Sequence, residues 1–359
     1  METAIKCTKT KNKGFAGFIL FLVAAICILG CSSATSKGAI NGLKISSSVI
    51  IPALFPFTVC SVFFQKSGAL FLVSNKIDKF TTLLFRLSGT EFSVILLSLL
   101  GGYPIGAKIT DELLNCNALD KSAAKRLMRY SINPSPAFII SVVGINIFNS
   151  LSVGIILFVS NMLSCIILNC LLLPKNKSSD SHTLKLKNGG ENISDAFVNS
   201  VLAGAKITIN ICSFVVLFSA LSEILKLIPI NSNIYSFICP FLEISFGINE
   251  VGRIGIPTYL YGFLLSFGGI STICQVKQTA SSINPSFLYI LLHRIIHGFV
   301  TLIFSLILFK LFPLNSTVFS STAEIKFTEY PMFMPSIMLI IFSVLFLMFL
   351  SSDKSKQLS

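Results

Sequence analysis

Between Tyr130 and Pro174 the chain carries not one charged residue, and the run is interrupted near its middle only by Asn149-Ser150. A soluble helix needs a polar face, and a run this long leaves nowhere to put one. About 20 apolar residues cross the roughly 30 Å of hydrocarbon in a bilayer, so the run reads as two antiparallel spans joined at a turn. The whole chain agrees: 53% of its 359 residues are hydrophobic and 12% are charged, against roughly 25% charged in an average soluble chain. A mean hydropathy of +0.81 excludes a cytosolic enzyme and a soluble nucleic-acid binder. The first partner is the lipid bilayer.

The net charge of +13 follows the same logic. Most of the lysines and arginines lie before residue 206, between apolar spans, which is the positive-inside pattern of a multi-pass protein. A nucleic-acid surface would instead interleave basic and aromatic residues in a polar domain, and the sequence contains no such domain. Lys6, Lys9, Lys11 and Lys13 place the tail 1–13 in the cytosol and the protein in the cell membrane. The ten cysteines form no Cys-x-x-Cys pair and fall mostly in apolar segments, so they read as small hydrophobes. No metal and no cofactor are expected.

Following the tail, apolar elements are expected at 14–36 and at 45–64, the latter kinked because Pro52 and Pro56 both lack a donor. Residues 66–91 read as a cytoplasmic connection with an interfacial amphipathic helix. The apolar element 92–107 breaks at Gly101-Gly102-Tyr103-Pro104-Ile105-Gly106 and is followed by a basic amphipathic helix over 111–130. A polar, lysine-bearing linker at 175–206 separates a first membrane half, 14–174, from a second, 207–312. The second half is expected to hold elements at 207–228, 234–248, 254–276 and 287–312. A last span at 332–350 lies in a C-terminal region, 313–359. The fold class is an all-α polytopic membrane protein with about eight to ten hydrophobic elements.

The halves echo one another. Gly101-Gly102 and Gly268-Gly269 each interrupt an apolar element, and each is followed by Asn-Pro-Ser, at 133–135 and at 284–286. If the linkers 66–91 and 175–206 both face the cytosol, the span at 45–64 runs inward and the span at 207–228 outward. That gives two inverted repeats with broken or re-entrant helices, the arrangement by which many transporters hold a solute at the bilayer midplane. The alternative is that small residues recur simply because they let membrane helices pack closely.

The motifs Gly102-Tyr103-Pro104-Ile105-Gly106-Ala107-Lys108, Pro52-Ala53-Leu54-Phe55-Pro56-Phe57, Arg126-Leu127 with Asn133-x-Ser135-Pro136-x-Phe138, Glu243-Ile244-Ser245-x-Gly247, and Gly268-Gly269-Ile270-Ser271 with Gln275 stand in one order over residues 15–312. In this the chain resembles the YlbJ-type sporulation integral membrane proteins of the nucleoside-recognition or Gate-domain superfamily. It departs at Gly101, where serine is expected, and in a looser Ser141-Val142-Val143-Gly144. The resemblance implies a role in spore formation and a membrane Gate domain that moves or recognises a small solute.

The solute-site candidates are Gly101, Gly102, Tyr103, Pro104, Gly106, Lys108, Asn133, Ser135, Glu243, Gly268, Gly269, Gln275, Arg294 and His297. Charges inside apolar elements are costly and mark cavities or partners. Glu243 either lines such a cavity or belongs to an interfacial loop, and Glu250, seven residues on, shares its alternatives. Lys108 either holds an anionic group beside the break or snorkels to the surface. His293-Arg294-Ile295-Ile296-His297 has arginine where a zinc protease needs glutamate, so these groups line a polar cavity, pair with Glu243 or reach the interface. No phosphate-binding loop and no Gly-x-Ser-x-Gly elbow occurs, so no enzyme is expected. The sequence therefore reads as a transporter or permease-like protein for a nucleoside-like or anionic solute. The alternative is a non-transporting assembly factor whose basic linkers bind spore-assembly proteins, and a homo-oligomer fits either.

Overall fold

Two long helices with small residues on their facing sides set the frame. The computed structural model describes residues 15–171 and 190–313 except 16, 20 and 86. The tail 1–13, most of the linker's first part and the expected span at 332–350 lie outside the described residues. Helix α1 (Ser32–Lys66) and helix α8 (Ile193–Leu225) are both long and apolar enough to span a bilayer. A Cβ added at Gly38 would stand 2.6 Å from the Ala220 Cα, and one at Gly42 would stand 2.7 Å from the Val216 Cα. Further along, Gly204 meets Val59 and the Phe63 ring lies 6.2 Å from that of Phe197. Rising numbers on α1 match falling numbers on α8, so the pair is antiparallel, and bare backbone at the crossings lets it close without a hydrophobic drive between helices.

Both helices differ from the sequence expectation. The elements expected at 14–36 and 45–64 are divided elsewhere: residues 21–30 form a helix of mostly exposed side chains, the chain turns at Cys31, and α1 then runs unbroken. The turn Ser46–Ile50 widens to π geometry just before Pro52, with the Ile51 N–H reaching the Ser46 carbonyl. This absorbs the proline ring that would clash with the preceding turn. Helix α8 begins well inside the expected linker, because Ala196, Ser200, Gly204, Ile207 and Ile211 continue one buried stripe through a polar composition.

In the first half, α2 (Ala69–Phe85) leads to α3 (Gly89–Gly101), which opens on a capping box between Ser88 and Glu91. Next come α4 (Tyr103–Asn115) and α5 (Lys121–Leu127). The single helix expected over 111–130 is thus split: the chain turns at Asn117 (φ 56) and restarts with Asp120 accepting from the Ser122 and Ala123 N–H groups, which is turn and N-cap chemistry. The Arg126 guanidinium then donates to Glu91 at 2.5 Å, tying α5 to the base of α3. An irregular stretch at 132–135 precedes α6 (Ala137–Ile147), wound with π geometry, and α7 (Leu151–Leu171) follows after a turn at Asn149 (φ 47); the turn and the second span stand where the uncharged run placed them, but α6, at 11 residues, is too short to be the first of the two expected spans.

The second half holds α9 (Ser232–Leu242), α10 (Ile244–Ile254), α11 (Leu260–Phe267), α12 (Gly269–Thr279) and α13 (Phe287–Leu311). All regular structure among the described residues is helical, and α7 and α13 complete the four helices able to span. The chain is an all-helical membrane protein. The α1–α8 crossing gives a test: Gly38→Leu forces side chain into the Ala220 backbone and lowers the unfolding midpoint in detergent, by roughly 1–3 kcal/mol of overpacking. Gly30→Leu, with nothing within 4 Å, leaves the midpoint unchanged.

Candidate functional site

Two of the interruptions are fold-backs. At Gly102 (φ 93) α3 ends and α4 returns alongside it: a Cβ on Gly106, four residues after the tip, would collide with Ser98, four residues before it, and with the Ser131 carbonyl. At Glu243 (φ −145, ψ 122) α9 ends and α10 returns: a Cβ on Gly247, again four residues after the tip, would collide with Pro240 and Cys239. Each arm is too short to span, and each pair is a re-entrant hairpin whose arms touch because that fourth residue has no side chain.

The interruption at Gly268 is of another kind. Helices α11 and α12 diverge there, and Gly269 lies against the Pro240 and Leu242 carbonyls of the second hairpin. Pairing Gly101-Gly102 with Gly268-Gly269 as equivalent breaks, the expectation from sequence, is therefore corrected: the fold-back that answers Gly102 is at Glu243. Each returning arm runs beside an interrupted element of the other half. On α4 the Tyr103 hydroxyl donates to the Leu265 carbonyl at 2.6 Å, and Asp111 accepts from the Ser282 and Ile283 N–H groups, both at 2.9 Å. On α10 Gly252 faces Ile147 of α6.

The two tips meet at a buried cavity of about 30 Å³, lined by Gly102, Tyr103 and Pro104 from one, Glu243, Ile244 and Ser245 from the other, and Ser135, Thr272 and Gln275 from the interrupted elements. Three helix starts face it, and the beginning of a helix presents unpaired N–H groups and partial positive charge. Glu243 is 1% exposed and spends its carboxylate on the Phe246 N–H at 2.6 Å. Ser135 likewise accepts from the Phe138 N–H at 3.2 Å. The start of α4 has no side-chain cap.

Beside the cavity lies a buried polar network. Asn133 donates to Ser98 Oγ and to the Tyr130 carbonyl, both at 2.9 Å; Asn161 donates to Asn133 at 3.4 Å and accepts from Ser266 at 2.8 Å. Ser164 joins this set to α13 through the His297 Nε2 and the Thr301 hydroxyl, both 2.8 Å away. Arg294 donates to the Ile132 carbonyl and the His297 Nδ1 rather than to a carboxylate.

Of the sequence candidates, Gly102, Tyr103, Pro104, Ser135, Glu243 and Gln275 line the cavity, and Asn133, Arg294 and His297 belong to the adjoining network. Gly101, Gly106, Gly268 and Gly269 shape the tips and breaks without lining it. Lys108 stands apart, its ammonium on Glu112 at 3.0 Å. Of the alternatives for His293, Arg294 and His297, an ion pair with Glu243 does not form among the described residues, and Glu250 pairs with Arg253 at 2.8 Å. Sequence reasoning missed Ser245, Thr272 and Ser164. The signal that locates both fold-backs is a glycine four residues after the tip, Gly102 to Gly106 and Glu243 to Gly247.

No family model and no solved structure matches the chain. Among curated proteins it is similar to the sporulation integral membrane protein YlbJ of Bacillus subtilis (strain 168), 22% identical over 340 residues that cover 82% of this chain and 82% of that protein. The likeness supports the YlbJ family. It does not reach the wider Gate-domain superfamily.

The tips differ in what they tolerate. Gly102→Ala has room, its nearest neighbours being 3.7 Å away, but its φ 93 and ψ −179 fall in a region nearly reserved for glycine, a strain of about 1–3 kcal/mol. Gly247→Ala drives a methyl into the α9 backbone. Thermal unfolding of the purified variants is expected to show a small shift for the first and a much larger loss of folded protein for the second.

Proposed function

We propose that this chain is a sporulation-associated transporter of the cell membrane, its N-terminus in the cytosol, passing a small solute that is nucleoside-like or anionic. The observation that carries the reading is the convergence of two re-entrant tips, with Ser135, Glu243, Ser245, Thr272 and Gln275, on one cavity whose other wall is the apolar side of the antiparallel long helices. Inverted repeats with interrupted helices are how many transporters build a midplane site. The start of α4 at Gly102, which no side chain caps, favours a solute with acceptor atoms or negative charge, and the similarity to YlbJ supplies the sporulation context.

A cavity of about 30 Å³ holds about one water molecule, whereas pockets for drug-sized ligands run to several hundred Å³. Passage therefore requires the tips to separate, and the arms are built for it. Each hairpin is a closed unit of two short helices whose main-chain bonds are internal, so it can shift without breaking a spanning helix.

The test is uptake into proteoliposomes of nucleosides, nucleobases and small carboxylate or phosphate anions. Saturable uptake is expected, reduced about tenfold or more by Glu243→Gln and little changed by Lys108→Ala, which acts away from the cavity. Absence of flux for every solute, from protein shown to be folded, would return the chain to the assembly-factor reading, for which deletion of 175–189 should abolish partner binding.

A further inference from the structure

Arg294 is 1% exposed, in an apolar layer where a lone charge is among the costliest things a chain can hold. None of the ion pairs among the described residues includes it. Its acceptors are main-chain carbonyls and an imidazole: Nη1 donates to the Ile132 carbonyl and to His297 Nδ1 at 3.0 Å, and Nε donates to the Phe267 carbonyl at 3.4 Å. The remaining nitrogen, Nη2, has no acceptor among the described residues.

Both carbonyls lie at interruptions, one in each half. Phe267 is the last residue of α11, so its oxygen has no intrahelical donor, and a helix end of this polarity carries roughly half a negative charge. Ile132 opens the irregular stretch between α5 and α6. Freed carbonyls of this kind, at half-helix ends in the middle of a bundle, are the groups with which ion-coupled transporters coordinate a cation. Here they face a guanidinium. Arginine is always protonated, so His297 Nδ1 must accept, its ring proton is on Nε2, and that proton goes to Ser164 Oγ at 2.8 Å. The imidazole is thus neutral and the guanidinium is the cluster's own positive charge.

We propose that Arg294 is a resident cation. It holds, by covalent attachment, the place between the two interrupted elements that a coupling ion would otherwise occupy, and the chain works without binding sodium or potassium. Because its carbonyl partners come one from each half, the same charge also holds the halves together at all ion concentrations. Arginine suits this better than lysine: its fork reaches several acceptors at once and is more weakly hydrated, so less is lost on burial. The part of the proposal that concerns flux rests on the transport reading above, and the part that concerns stability does not.

The experiment is thermal unfolding of the purified full-length protein in detergent, in sodium, potassium and choline chloride at equal ionic strength. The wild-type midpoint is expected to agree among the three salts within about 1 °C. Arg294→Gly is expected to lower it by roughly 5–15 °C, and guanidinium or sodium at about 10–100 mM, but not choline, to restore part of the loss. A saturable rise of the wild-type midpoint with sodium or potassium overturns the proposal, as does an Arg294→Gly variant that keeps the wild-type midpoint or ignores every small cation. Should that variant not accumulate folded, the wild-type salt series decides, together with Arg294→Lys, which is expected to fold and to ignore sodium. In proteoliposomes, uptake is expected to survive replacement of sodium by choline. Flux that requires sodium overturns the resident cation and leaves the transport reading standing. Absence of any flux with sodium-indifferent stability overturns transport and leaves Arg294 in its place.

Discussion

Water does not reach the hydrocarbon layer, so every main-chain N–H and carbonyl released by an interrupted helix must find a partner inside the protein. This chain interrupts its helices at Gly102, at 132–135, at Glu243 and at Gly268, and buried polar side chains stand at each of those places. Glu243 and Ser135 accept from the N–H groups of the helices they precede. The Tyr103 hydroxyl serves the Leu265 carbonyl and Arg294 serves those of Ile132 and Phe267. The cavity lining and the groups that serve the freed main chain therefore overlap at Tyr103, Ser135 and Glu243, and altering these residues alters both.

The halves are interleaved rather than laid side by side. The returning arm of the first hairpin lies along α12 of the second half, held at one end by Tyr103 and at the other by Asp111 on the loop before α13. The returning arm of the second lies along α6 of the first. Neither hairpin can complete its packing until the opposite half is present. The antiparallel α1–α8 pair, closed through glycines at 38, 42 and 204, gives the interleaved core a wall that itself contributes residues from α1 and α8 to the cavity.

Much of this was legible in the sequence. The uncharged run 130–174 located the turn at Asn149 and the span α7 after it, though not the brevity of α6, and the Gly-Tyr-Pro-Ile-Gly motif located the first fold-back. What escaped has physical reasons. Gly101-Gly102 and Gly268-Gly269 look alike, yet only the first folds back: glycine stands four residues after Gly102, whereas four after Gly268 stands Thr272, whose hydroxyl donates to the Gly268 carbonyl. The second tip has Glu243 in ordinary extended geometry, so the tip residue itself is neither glycine nor proline and only Gly247, four residues on, signals the fold-back. The start of α8 was hidden by polar neighbours that do not disturb a stripe of small residues. The partners of Arg294 lie 162 and 27 residues away along the chain, a distance no local pattern reports.

The length of the hairpin arms bears on how the protein is made. Helix α3 has 13 residues and α9 has 11, a rise of about 20 Å or less against a hydrocarbon core of roughly 30 Å. Neither can be handed to the lipid as an independent span during synthesis. The long helices α1, α7, α8 and α13 can, and they must be in place to receive segments that are stable only inside a protein-lined chamber. Biogenesis is thus expected to have an order: the full-length spans are inserted first, and the short arms pack against them once both halves have left the ribosome.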